Sequence, residues 1–170
     1  MLVGRGFLEL AEGSVDTARE SLQRALGLRR RLNDGRGIGL ALTALCLVEI
    51  AAGKHARAGL LVTEASDLFR RAGDRWGLAG ALWRAADLAL ARGRPEEADA
   101  ALEEALTVLG EVGRDRWIAH TLAAQAEARV LAGDSEAARK ILVRARELYG
   151  ATDDPASAAD VERRLAELRP

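Results

Sequence analysis

Cysteine occurs once in the 170 residues, at Cys46, aromatic residues make up only 4%, and neither sign of charge prevails. A single thiol excludes a disulfide framework and makes a reducing, cytoplasmic setting the expectation. With 25 basic residues against 26 acidic, the formal net charge is −1. That balance argues against a nucleic-acid groove, which needs a basic excess on one face. No apolar run approaches the roughly 18–20 residues of a membrane span, so no membrane association is expected. The first residues also lack a secretory signal pattern. Strand formers of the Ile, Thr, Tyr and Phe type are scarce. Lysine is nearly missing too: apart from Lys54 and Lys140, every basic residue is arginine. With the Ala and Gly load, that bias points to a GC-rich, bacterial coding genome.

What is present is alanine, leucine, arginine and glutamate, the strong helix formers, within a hydrophobic share of 49%. A core built from Ala and Leu lets helices approach closely, which favours a helical stack over a sheet sandwich. The residues also repeat. Gly13, Gly53, Gly93 and Gly133 are forty apart, and Ala18, Ala58, Ala98 and Ala138 keep that step. So do Ala25, Ala65, Ala105 and Ala145, with Leu22, Val62, Leu102 and Leu142 between the two alanine sets. A fixed period of this length marks a repeat array, in which each unit buries its apolar face against its neighbours.

Each glycine stands in a short polar break (AEGSVD, AAGKHA, ARGRPE, LAGDSE), where it accepts the left-handed conformation that ends a helix. Ser14 and Ser135 are expected as N-caps, and Pro95 suits a first helical position followed by Glu96 and Glu97. A second break (RLNDGRG, RAGDRWG, EVGRDRW) closes a helix with Asn or Gly and offers Asp34, Asp74 or Asp115 as the next cap. Asp154 caps a last helix opened by Pro155. The pattern predicts nine helices and no strand: 2–11, 15–31, 36–52, 54–72, 75–92, 95–112, 115–132, 135–149 and about 155–168. Since Met1 falls inside the first of these, the chain reads as a piece of something longer.

The spacing of Gly, Ala at five, a bulky apolar residue at nine and Ala at twelve resembles the tetratricopeptide repeat (TPR). Leu2, Leu42, Leu82 and Leu122 before the glycines, with Gly6, Cys46, Ala86 and Ala126, carry the same resemblance. The standard unit has about 34 residues and closes with a proline, where this chain has Arg30, Arg70, Gly110 and Gly150. HEAT repeats lack the Gly–Ala–Ala offsets, and pentatricopeptide repeats have a shorter period and a basic groove. Phrases such as LFRRAGDRWGLAGAL and ALARGRPEEADAALEEAL are similar to the forty-residue TPR variant. That variant occurs in the C-terminal regions of bacterial ATPase and maltose-regulator-type transcription regulators, and in eukaryotic spindle-orientation adaptors. The resemblance implies an all-α fold, a right-handed TPR superhelix (α-solenoid) of four helical hairpins over residues 1–153. Residues 154–170 are expected to form a C-terminal capping helix.

The resemblance also implies that the first helix of each pair lines a concave binding face. Phe7 and Leu10 would face it from the first unit, and Thr43, Leu47 and Ile50 from the second. Trp83, Asp87 and Leu90 would do so from the third, and His120, Ala123, Glu127 and Val130 from the fourth. The Lys, Arg and Asn of carboxylate-clamping TPRs are missing from these slots. Two acids beside a tryptophan instead favour an apolar or basic partner segment, with Trp83 as anchor. Each residue has a plainer role to set against this. Trp83 can pack against the next repeat, Asp87 and Glu127 can be solvated surface acids, and Trp76 and Trp117 read as inter-repeat packing. Cys46 fills a small-residue slot as a buried hydrophobe. The run Arg29–Arg30–Arg31 suits a helix C-terminus, and NDGRGIG lacks the strand and the Gly-Lys-Ser ending of a phosphate loop.

No nucleophile–base pair, metal-like spacing or paired carboxylate emerges, and His55 and His120 are unlinked. An enzyme is therefore not expected, nor catalytic residues, a metal or a cofactor. The expected function is a protein- or peptide-binding module, a sensor or assembly segment of a bacterial regulatory protein. The alternative is a receptor domain for a small molecule or pheromone peptide whose superhelix tightens on its ligand. The apolar first helix (Leu2, Val3, Phe7, Leu8, Leu10) has nothing to cap it, which predicts a homodimer through that end.

Overall fold

A computed structural model of the chain describes residues 14–113, 115–152 and 154–168. Gly13 and the expected first helix with Phe7 and Leu10 lie outside them. The described residues form eight helices and no strand: α1 (Val15–Arg31), α2 (Gly35–Ala51), α3 (His55–Ala72), α4 (Arg75–Ala91), α5 (Pro95–Gly110), α6 (Asp115–Leu131), α7 (Ser135–Gly150) and α8 (Pro155–Glu167). These bounds lie within two residues of those read from the sequence.

The helices end every twenty residues, because a left-handed residue recurs at that step. Asn33 (φ 51°), Gly53 (70°), Gly73 (64°), Gly93 (68°), Gly113 (67°) and Gly133 (83°) supply it. Around Gly53 the amide of Lys54 donates to the Glu49 carbonyl (2.8 Å) and that of Gly53 to Ile50 (2.9 Å), the paired closure of a Schellman turn. The same pair of bonds recurs at Asn33, Gly73, Gly93 and Gly133. Helix starts are fixed by aspartates. Asp34, Asp74, Asp134 and Asp154 accept from the amides of Gly37, Gly77, Ala137 and Ser157.

Three caps differ from expectation. Asp134, and not Ser135, caps α7, because the carboxylate one residue earlier reaches the free amide of Ala137. Asp115 lies in the first turn of α6 rather than before it. Ser14 holds the cap position of α1 but makes no side-chain cap bond; its carbonyl accepts from the Thr17 hydroxyl instead. Pro95 opens α5 as read, with Glu96 and Glu97 in its first turn.

Consecutive helices pack antiparallel into the hairpins α2/α3, α4/α5 and α6/α7, joined through the α1–α2, α3–α4, α5–α6 and α7–α8 contacts. The repeated alanines are where helices cross. Ala18, Ala58, Ala98 and Ala138 have no exposed surface, and neither have Ala65, Ala105 and Ala145. Leu22, Leu102 and Leu142 fill the space between them. Among alternate helices, α2 packs directly against α4, whereas α1, α3, α5 and α7 do not meet one another to a comparable extent. Trp76 and Trp83 of α4 in turn meet Trp117 of α6, so α2, α4 and α6 share one side of the stack, termed its inner face.

Candidate binding notch on the inner face

Along the inner helices, slots forty apart in sequence become neighbours in space. One row runs Leu40, Gly80, His120, and the next Thr43, Trp83, Ala123. A glycine in the middle of the first row leaves a gap, and a Cβ built on Gly80 meets no atom within 4 Å. The gap is a notch of about 280 Å³, open to solvent and mainly apolar, walled by Leu40, Thr43, Trp76, Trp83, Leu109 and Trp117, with Arg84 at its side. All three tryptophans of the chain line it.

The indoles hold one another at steep angles. Trp76 and Trp117 meet edge to face at 5.0 Å between ring centroids and 85° between planes, and Trp83 meets Trp117 at 6.4 Å and 70°. Offset and perpendicular contacts are favoured by the ring quadrupoles. Trp83 Nε1 donates to Thr121 Oγ1 (3.0 Å), and that hydroxyl donates to the Trp117 carbonyl (2.7 Å). Thr121 is fully buried in a slot that holds Ala41 and Ala81 in the preceding repeats. Its hydroxyl thus satisfies the indole N–H and fixes the ring at the wall of the notch. Trp83 packs between two repeats and also lines the notch. Trp117 keeps 41% of its surface exposed and Leu40 44%, so apolar area remains uncovered there.

Of the expected groove residues, the structure brings Thr43 and Trp83 to the notch. Leu47, Asp87 and Leu90 lie half-buried farther along, with Glu127 exposed in the Asp87 slot of the next repeat. Asp87 Oδ2 pairs with Arg84 Nη1 (3.0 Å). Burial pushes its carboxyl above the usual range; Arg84 opposes this and Glu127 adds to it. Burial likewise raises the Cys46 thiol to about 12, so it is an inert part of the core.

His120 serves a different joint. Its Nδ1 lies 2.7 Å from Tyr149 Oη, and its Nε2 lies 3.6 Å from Asp154 Oδ2, the cap of α8. With the carboxylate on the Nε2 side, the favoured neutral tautomer carries its proton there and accepts from the Tyr149 hydroxyl. Burial holds the His120 pKa below its ordinary value, with Asp154 acting against that and Arg116 with it. The ring lies 5.8 Å from Trp117, and so prolongs the aromatic row from the notch toward α8.

Sequence reasoning missed Gly80, Leu40, Thr121 and Arg84 as parts of the site, and gave Trp76 and Trp117 only a packing role. The signal available was the break in the repeat: glycine where Leu40 and His120 stand, threonine where alanine stands. Among the described residues, no group of three His, Cys, Asp or Glu side chains is arranged to hold a metal ion. None of their helices is long and apolar enough to cross a membrane.

The sequence matches no protein-family model and no curated protein. Solved structures share its fold. One has the nearly identical TPR-like repeats of a kinesin light chain-like protein from Podosopora anserina, with 15% identity, a TM-score of 0.80, and 98% of this chain and 83% of that one covered. A single-residue variant of it gives 15%, 0.80, 98% and 82%. BtubC (BKLC) from P. vanneervenii follows at 18% identity and a TM-score of 0.76, over 87% of this chain and 61% of its own. At these identities the likeness is one of architecture: the chain folds as TPR-like repeat proteins do.

Proposed function

We propose that this chain is a non-enzymatic binding module whose inner face takes a segment of another protein, apolar or basic in character. Its setting is a sensor or assembly segment of a bacterial regulatory protein, as the forty-residue phrases and the arginine bias suggest. One observation carries the binding reading: the Gly80 notch, walled by every tryptophan in the chain and left open. Small-molecule pockets run from about 300 to 1,000 Å³ and enclose most of their ligand. A notch of about 280 Å³ facing solvent suits one bulky side chain of a longer segment. Tryptophans in such sites carry much of the binding energy. Because the walls are held by the Thr121 bond and by ring contacts, little ordering cost remains for the partner to offset.

The test fills the notch. Gly80→Leu puts into α4 the residue that α2 carries at Leu40, and helix propensity favours it by up to about 1 kcal/mol. Peptides selected from a random display library on the full chain are titrated against its tryptophan fluorescence. The leucine variant should fold at least as stably as the parent and bind these peptides at least ~10-fold more weakly, about 1.4 kcal/mol. Equal binding by both proteins would remove the notch from the function.

A further inference from the structure

The inner face changes character along its helices. The N-terminal half is the indole notch, and about two turns farther on the same stripe turns acidic at Asp87 and Glu127. Asp87 is matched by Arg84. Among the described residues Glu127 has no ion-pair or hydrogen-bond partner. With Val130 and Leu131 it borders a second depression, of about 360 Å³, whose far side is α8. The arginines on that side are already engaged. Arg163 pairs with Asp160 and with Glu167 (2.9 Å), and Arg164 lies 4.0 Å from Asp160. Around this depression three acids (Glu127, Asp160, Glu167) face two arginines (Arg163, Arg164), leaving one negative charge uncompensated. Glu127 also drives the Asp87 carboxyl further upward, so the two carboxylates feel each other, and a cation between them would relieve both.

The two features are a fixed distance apart. Gly80 and Asp87 are seven residues apart on α4, roughly 10.5 Å along its axis. A segment in the extended polyproline II conformation, with three residues per turn at about 3.1 Å each, covers about 9 Å in one turn and brings side chains three positions apart to the same side. Resting on the binding reading above, we infer that the partner segment is extended and carries two determinants: a bulky apolar side chain for the notch, and a lysine or arginine three positions away for Asp87 and Glu127. The apolar side chain supplies the affinity by covering Trp117 and Leu40. The cation supplies register, because only one placement of the segment satisfies both sites.

A random twelve-residue library displayed against the full chain tests this, with selection repeated on Glu127→Gln and Gly80→Leu. Glu127 is exposed and unpaired, so the glutamine variant keeps the fold, which circular dichroism checks. Peptides enriched on the parent should pair a Leu, Ile, Phe or Trp with a Lys or Arg three positions away. Selection on Glu127→Gln should keep the apolar residue and lose the basic preference, and Gly80→Leu should do the reverse. In the best peptide, replacing the cation by glutamate should weaken binding at least ~10-fold at low salt, and less as salt screens the pair. Apolar peptides without the basic residue, an acid at that position drawn to Arg84, or a basic preference surviving in Glu127→Gln would each overturn the inference while leaving the binding reading intact. Failure of the parent to enrich any peptide would overturn both.

Discussion

At the scale of single residues, the chain departs from its own repeat where a neighbour demands it. Phe69 is 1% exposed, and a Cβ on Gly77 would lie 2.3 Å from its ring and one on Gly39 2.5 Å. The two glycines are the space the ring occupies. In the following repeat the corresponding slots carry Leu109, Ala79 and Trp117, a smaller residue facing larger ones. Gly77→Ala should therefore destabilise by about 2 kcal/mol through overpacking, despite the better helix propensity of alanine. In a Phe69→Leu background the same change should become neutral or stabilising. Urea unfolding of the four proteins decides it, and equal effects in both backgrounds would show that the ring is not the obstacle. His120 gives a residue-scale dependence on pH. Its pKa in the folded chain lies below the ordinary 6.5, so the unfolded chain binds the proton more readily. Its contribution to stability is complete above about pH 6.5 and is lost as pH falls from there toward the folded value. Melting temperatures between pH 7.5 and 5.5 should fall more for the parent than for His120→Leu, which carries the residue of the Leu40 slot. Parallel curves would remove His120 from the account.

At the scale of helices, the joints between repeats share their alanines and differ in their charges. The slots that pair an outer helix with the next inner one carry Arg19 with Glu49, then Gly59 with Ala89, then Asp99 with Arg129. Arg19 Nε reaches Glu49 Oε1 at 3.0 Å, and Arg129 grips Asp99 through two bonds of 2.8 and 2.6 Å with the signs exchanged. A helix pair shifted by one or two units would set like charges together or bury one unpaired, so these joints fix the order of stacking. Glu49 is fully buried, and Glu49→Gln should lower stability by about 3 kcal/mol, because Arg19 keeps only the exposed Asp16 and Arg57 loses its carboxylate. The exposed pair Arg30–Glu64 (2.9 Å) is the comparison, and Glu64→Gln should cost less than about 1 kcal/mol. Similar losses in denaturant titrations would refute the distinction. The same contrast explains what was legible in the sequence. Helix bounds, left-handed turns and alanine crossings recur every forty residues, so four copies reinforce one pattern. The notch, the Trp83–Thr121 bond and the charged joints are single departures from it, and each involves residues 30 to 40 positions apart whose contact only folding reveals. His120 was placed on the groove by its slot, which cannot show that Tyr149 and Asp154 claim its ring.

At the scale of the whole molecule, the interior is not one continuous core. A large cluster from Ala18 to Ala105 unites α1 to α4 and reaches into α5, and a second from Ala119 to Val161 unites α6 to α8. Between them lies a thin seam of Ala86, Ala89, Ala98, Leu102 and Ala128. Small side chains bury little apolar surface, so this seam contributes less than the cores on either side. The indoles bridge the same seam on the inner face, from Trp76 and Trp83 of α4 to Trp117 of α6. A repeat array, in which each unit leans on its neighbours alone, should then come apart in steps. Ending the chain at Ala151 removes α8 and with it Val161, Asp154 and the far contacts of His120 and Tyr149. Hydrogen exchange should show protection collapsing in α6 and α7 while α1 to α4 keep theirs, because the loss stops at the alanine seam. Filling the seam with Ala98→Val would then carry the loss further into α4 if the extra methyls tighten it. It would cost about 1–3 kcal/mol of stability if they overpack it. A truncated chain whose helices all lose protection together would mean that the three clusters fold as one unit, with the tryptophans and not the alanines setting the strength of the joint.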